Sequence, residues 1–137
     1  MNLKSDTQTV RLDVNAEVAF AFISNPQTLP QWAVGFCRGI RPDGRGWIVR
    51  TASGECGLEV DADPRRRTVD FHMRPAPGIE ARAYSRLIEC DGGCEYVFTQ
   101  FGPPLIPDDV FRANVEALRE ELVVLRSVLR ARHACRA

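Results

Sequence analysis

The chain has 137 residues, 45% of them hydrophobic and 26% charged, about one domain's worth of sequence and too apolar for a disordered segment. Eighteen basic residues balance eighteen acidic ones, so the formal net charge is zero and the basic excess that nucleic-acid binding draws on is missing. No run reaches the roughly 18 apolar residues of a membrane span, and the opening MNLKSDTQTV lacks the apolar stretch of a secretory signal. The expectation is a single cytoplasmic domain over 1–137, with neither nucleic acid nor membrane as partner.

In chain order, residues 7–14 place Val10, Leu12 and Val14 on one face of a strand. Asn15 is a good helix cap for the short run that follows, with Val18 and Phe22 four apart. Asn25-Pro26 then opens a second short helix carrying Leu29 and Trp32. Strands are expected at 36–41, 47–52, 55–62, 68–74, 80–90 and 94–101. They are separated by turn signals: Pro42-Asp43-Gly44, Ser53-Gly54, Asp63-Pro64, Pro75-Ala76-Pro77-Gly78 and Asp91-Gly92-Gly93. Short turns between successive strands mean an antiparallel meander. The last segment steps through Phe111, Val115, Leu118, Leu122, Leu125 and Leu129, an apolar seam on a helix from 108 to about 132. Asp108 and Asp109 open it and Arg126, Arg130 and Arg132 close it, matching the helix dipole. Such a helix is roughly 37 Å long and spans a sheet whose seven-residue strands are about 23 Å.

That order predicts an α+β chain: a curved seven-stranded antiparallel sheet wrapped on a long C-terminal helix, with two short helices after strand 1. Strand 80–90 offers Ala81, Ala83 and Ser85 on one face and Arg82, Tyr84 and Arg86 on the other. Charged side chains avoid burial, so the small face points toward the helix, opposite Leu118 and Leu122. Trp47, Phe71, Met73 and Phe98 are large inward residues that would border the space left there. A gap lined by aromatic and small residues suits an apolar ligand with a few polar anchors.

The stretch VNAEVAFAFISNPQTLPQWA at 14–33, the Asp-Gly-Gly hairpin and the Leu-rich terminal helix resemble the START-like (SRPBCC) superfamily, in its polyketide cyclase/dehydratase-like branch. The resemblance covers essentially the whole chain. It implies the helix-grip fold shared by polyketide cyclases, lipid-transfer domains and plant pollen-allergen proteins, with a hydrophobic cavity between helix and sheet. It does not imply one reaction, because members include carriers, sensors, cyclases, hydrolases and oxygenase subunits. In that fold Trp32 and Phe36, where the short helices meet the sheet, would border the cavity entrance.

Polar candidates for the cavity are Ser85 and Gln100, paired if the hairpin register allows; a three-residue loop would pair Ser85 with Thr99 instead. The alternative for both is a satisfied core pair. Asn114, beside the seam, either points into the cavity mouth or faces solvent. His72 alternates with Phe71 and Met73 and so shares the outer face with Asp70; His133 lies near the end of the helix. Two histidines on separate elements do not make the two-His-one-carboxylate iron site of the oxygenases, and no metal or cofactor is expected. Glu55, Glu59 and Asp61 read as a solvated edge, and Arg65-Arg66-Arg67 as a solvated turn. Five cysteines, Cys37, Cys56, Cys90, Cys94 and Cys135, are expected as reduced thiols. Cys90 and Cys94 bracket the hairpin loop and are placed to face each other across it.

Three functions fit. The first is a binder of a small apolar or aromatic, lipid- or polyketide-like ligand. The second is a cyclase or dehydratase acting by substrate positioning. The third is an interaction module with a filled core, in which Val124 and Val128, off the main seam, would meet a partner helix or a second copy of the chain.

Overall fold

The computed structural model describes residues 4–134; Cys135 lies outside them. Seven strands are described: β1 Ser5–Leu12, β2 Gly39–Asp43, β3 Gly46–Thr51, β4 Gly54–Asp63, β5 Thr68–Ala76, β6 Ile79–Cys90 and β7 Gly93–Phe101. They form one antiparallel sheet in the order β1-β7-β6-β5-β4-β3-β2. Everything from β2 to β7 is a meander of neighbours, and β1 returns to pair with β7. Helix α1, Ala16–Ile23, follows β1; a 3-10 turn, Pro26–Thr28, leads into α2, Leu29–Trp32. Helix α3, Asp108–Ala134, is 27 residues long, about 40 Å by its rise per residue. The expected helix-grip architecture is present.

Local chemistry explains the short helices. The Asn15 carboxamide oxygen accepts from Val18 N–H at 2.8 Å, and that of Asn25 accepts from Gln27 N–H at 3.1 Å. Both satisfy donors that a helix start leaves open. The Thr28 hydroxyl then donates to the Phe22 carbonyl at 2.8 Å, tying the turn back to α1. β1 and β2 are displaced as wholes from the expected 7–14 and 36–41, to Ser5–Leu12 and Gly39–Asp43. β1 begins at Ser5 and ends at Leu12 because its partner runs from Phe101 to Cys94; Val14 is buried in a bend beyond it. Phe36 and Cys37 are not in a strand: the Phe36 N–H is shared between the Ala33 carbonyl at 3.0 Å and a carboxylate oxygen of Glu121 at 3.1 Å. Pro42 lies on the edge strand β2, where a missing donor is tolerated.

The hairpin between β6 and β7 has a two-residue loop, not the three-residue loop read from the sequence. Asp91 and Gly92 both take positive φ, 44° and 78°, the left-handed pair that a type I′ turn requires. Cys90 therefore faces Gly93, and Cys94 faces Glu89. Ser85 lies opposite Phe98, and Gln100 opposite Ala83, so neither expected partner of Ser85 is correct. The four described cysteines are free thiols. Burial pushes the Cys94 thiol up to about 11, which keeps it protonated and unreactive.

Helix α3 covers one face of the sheet. At its C-terminal end Leu122, Leu125 and Leu129 are buried with Val10, Leu12, Val69, Leu87, Cys94 and Tyr96. Arg130 pairs with Asp13 at 2.7 Å and holds that carboxyl below its usual range, through the hydrogen bond first. Lys4 bonds the Ile106 carbonyl at 3.0 Å and pairs with Asp108 at 3.1 Å at the opposite end. Val124 and Val128, expected off the seam, are half-buried against the core; Val123 is the exposed valine of that stretch.

Candidate functional site

Inward side chains along β6 shrink from Leu87 through Ser85 to Ala83 and Ala81, and α3 runs over them. Beyond Ser85 the protein's own side chains no longer fill the space. A cavity of about 480 Å³ opens there, under the N-terminal half of α3. Its floor is buried and apolar: Leu29, Trp32, Leu58, Phe71, Ala83 and Leu118. Its open side is marked by exposed Ser53, Glu55, Arg82, Val110 and Asn114. The connector after β7 closes one flank with Pro103 and Ile106. Gly102 makes that possible, since a Cβ there would meet Ile106 Cγ2 and Phe111 Cδ1 at 2.9 Å.

Two glutamines hold α3 over this hollow region without filling it. Gln8 Nε2 donates to the Val115 carbonyl at 2.9 Å, and Gln100 Nε2 reaches the neighbouring Asn114 carbonyl at 3.5 Å. The aromatic wall is continuous with the packed region: the Phe71 and Phe98 rings are 6.0 Å apart and tilted, and Tyr96 meets Phe98 edge-on at 6.0 Å, favourable offset arrangements.

Of the residues proposed from sequence, Trp32, Phe36, Phe71, Met73, Ala83, Phe98, Gln100, Asn114 and Leu118 line the cavity. The two-residue turn keeps Gln100 on the inner face and puts Thr99 on the outer one, where its hydroxyl meets that of Thr7 at 2.8 Å. Three proposed residues stand elsewhere. Trp47 is half-buried between Pro42 and Leu58 on neighbouring strands, outside the cavity lining. Leu122 belongs to the packed end. Ser85 is also spent on the core: its hydroxyl donates to the Val69 carbonyl at 2.6 Å and accepts from the Tyr96 hydroxyl at 2.9 Å. Burial raises the Tyr96 phenol well above its ordinary value, so it remains a donor to Ser85. His72 is on the outer face opposite Arg82, with Nε2 3.3 Å from Glu80, as expected for a residue alternating with Phe71 and Met73. Among the described residues, no three His, Cys, Asp or Glu side chains gather as a metal site requires.

The residue missed by sequence reading is Glu121. It lines the cavity from α3, and only 8% of its surface is exposed. Its Oε2 accepts from the backbone N–H groups of Gly35 at 3.0 Å and Phe36 at 3.1 Å. Burial pushes the carboxyl up to about 7, against the opposing pull of those two hydrogen bonds. The glycine brings the backbone in: a Cβ at Gly35 would stand 3.4 Å from Oε2 and 3.5 Å from the Ala117 methyl. The signal was present in sequence as helical spacing. Asn114, Ala117, Leu118 and Glu121 fall at i, i+3, i+4 and i+7, one stripe of the helix.

Neither a family model nor a curated protein matches this sequence. Solved structures do match its fold. A START superfamily protein from Mycobacterium smegmatis is 12% identical with a TM-score of 0.75, over 93% of this chain and 97% of that one. The Zhui aromatase/cyclase from a Streptomyces species is 17% identical with a TM-score of 0.74, over 97% and 98% of the two chains. Ara h 8.0201 is 16% identical with a TM-score of 0.71, over 95% and 99%. The chain has the START-like helix-grip fold that these proteins share.

Proposed function

We propose that the protein binds a small apolar or aromatic molecule in the cavity between the sheet and α3. One observation carries the reading: a space of about 480 Å³ lined by Trp32, Phe36, Phe71 and Phe98 lies beside a close-packed core built from the same sheet and helix. Ligand pockets are commonly about 300–1,000 Å³, mostly apolar, with a few placed polar groups. A filled-core interaction module would have no such space. The fold shared with a START superfamily protein and an aromatase/cyclase supports a lipid- or polyketide-like ligand. No helix among the described residues is long and apolar enough to cross a membrane, and a cytoplasmic location is part of the same reading.

The test is mass spectrometry of small molecules extracted from the purified protein, with titration of an apolar fluorescent probe. Saturable binding of the probe at one site per chain, competed by the extracted molecule, is the expected result. Failure of any apolar probe to bind would overturn the reading.

A second reading, an enzyme of the cyclase or dehydratase type, is favoured by one feature: Glu121 is a cavity-lining carboxyl whose proton affinity is matched to neutral pH. Substrate turnover that rises or falls around neutrality, and is lost in Glu121→Gln, is its signature.

A further inference from the structure

We propose that the cavity has a polar subsite, formed by Oε1 of Glu121 and the indole N–H of Trp32, and that it recognises an uncharged hydroxyl group on the ligand. The proposal rests on the ligand-binding reading and names the chemistry of the ligand. Both residues line the cavity. Glu121 spends Oε2 on the Gly35 and Phe36 N–H groups; among the described residues no donor meets Oε1. Trp32 is 2% exposed, and its Nε1 is buried with no partner among the described residues. Buried polar atoms are almost always paired, and an unpaired one costs about 1–3 kcal/mol. Both side chains line the same apolar space, and their unpartnered atoms have complementary needs.

Four ligand chemistries meet these needs unequally. A hydrocarbon satisfies neither atom. A carboxylate or phosphate accepts from the indole but opposes Glu121. An ammonium pairs with Glu121 but offers nothing to the indole N–H. A hydroxyl donates to Oε1 and accepts from Nε1–H, and an aromatic or alicyclic body fits the surrounding rings. The remaining charged lining groups, Glu55 and Arg82, are exposed at the rim, and Glu55 is already paired with Arg41 at 2.6 Å.

The experiment is a fluorescence titration of the whole chain at pH 8 with 2-naphthol, 2-methoxynaphthalene, naphthalene, 2-naphthoate and 2-naphthylmethylamine. The expected result is that 2-naphthol binds about tenfold or more tighter than its methyl ether and than naphthalene, the scale of a hydrogen bond to a charged group. In Glu121→Gln the two backbone N–H groups hold the amide oxygen and turn the NH2 into the cavity, replacing an acceptor by a donor. The advantage of the naphthol over its ether then falls to within about threefold. Trp32→Phe lowers the ratio of naphthol to naphthalene affinity measured on the same variant, and that ratio decides the matter if Glu121→Gln fails to fold. Equal binding of naphthol, ether and naphthalene would overturn the subsite and leave apolar binding standing. Preference for the naphthoate or the amine would overturn the hydroxyl assignment. Binding of none of the five would overturn the cavity reading as well.

Discussion

Under the C-terminal half of α3, Leu122, Leu125 and Leu129 meet Val10, Leu12, Leu87 and Tyr96 with almost no exposed surface. Under its N-terminal half, Phe111 and Val115 occupy equivalent seam positions and remain half-buried, because the sheet opposite them carries Ala81 and Ala83. One helix and one sheet therefore make a solid core at one end and a cavity at the other. The difference lies in side-chain volume on β6, and the helix is held by different means at the two ends. Leucines hold it where the space is filled; Gln8 and Gln100 reach its backbone carbonyls where the space is hollow. Packed core and open space are thus assigned to opposite ends of one scaffold.

Mutations break or sharpen that contrast. The largest expected effect is at the solid end: Leu125→Ala should cost about 2–5 kcal/mol, as buried leucine truncations do. Phe111→Ala at the hollow end should cost about 1 kcal/mol. Urea unfolding of both variants checks this, and equal losses would erase the distinction.

Second is the pH dependence that Glu121 imposes on the hollow end. Its carboxyl rises from the ordinary 4.5 to about 7 in the folded chain, so the folded state holds the proton more tightly than the unfolded state. Its stabilising contribution is complete below about pH 4.5 and is lost as pH rises through 7, an expected decline of about 3 kcal/mol. Unfolding free energies measured across that window should fall more steeply for the wild type than for Glu121→Gln; parallel curves would refute the assignment.

Third, Ser85→Ala at the boundary between the two ends leaves the Tyr96 hydroxyl buried without its acceptor, at a cost of about 1–3 kcal/mol. Tyr96→Phe should cost less, since Ser85 keeps its bond to the Val69 carbonyl. The order of the two melting temperatures is the check. The smallest stability effect is expected from Ala83→Phe, two residues along the same strand. Overpacking a solid core costs about 1–3 kcal/mol, but here the ring enters the cavity. The melting temperature should stay within a few degrees while binding of an apolar probe is lost. A large drop in melting temperature would mean that the site behaves as solid core.

Period and punctuation were enough to read most of the fold. The 111/115/118/122/125/129 seam, the alternation along residues 55–62 and 68–74, the Asn15 cap and the Gly- and Pro-bearing turns each encode an element through contacts between near neighbours. The aromatic wall followed from the same alternation, and so did the outward position of His72. What the linear pattern could not supply was anything set by a partner distant in sequence. The hairpin register needed the left-handed pair Asp91-Gly92, and one residue more in the loop would have turned Thr99 inward in place of Gln100. Trp47 has the parity of an inward residue, but its place on β3 puts it outside the cavity lining. Whether Ser85 served the ligand or the core depended on Tyr96, which pairs with Leu87 across the hairpin and reaches back to the Ser85 hydroxyl. Glu121 depended on a backbone turn at Gly35 and Phe36, more than eighty residues away. Local periodicity determines which face of an element is buried; only the tertiary structure decides what that face meets, because burial, pairing and proton affinity are properties of the whole environment of a side chain.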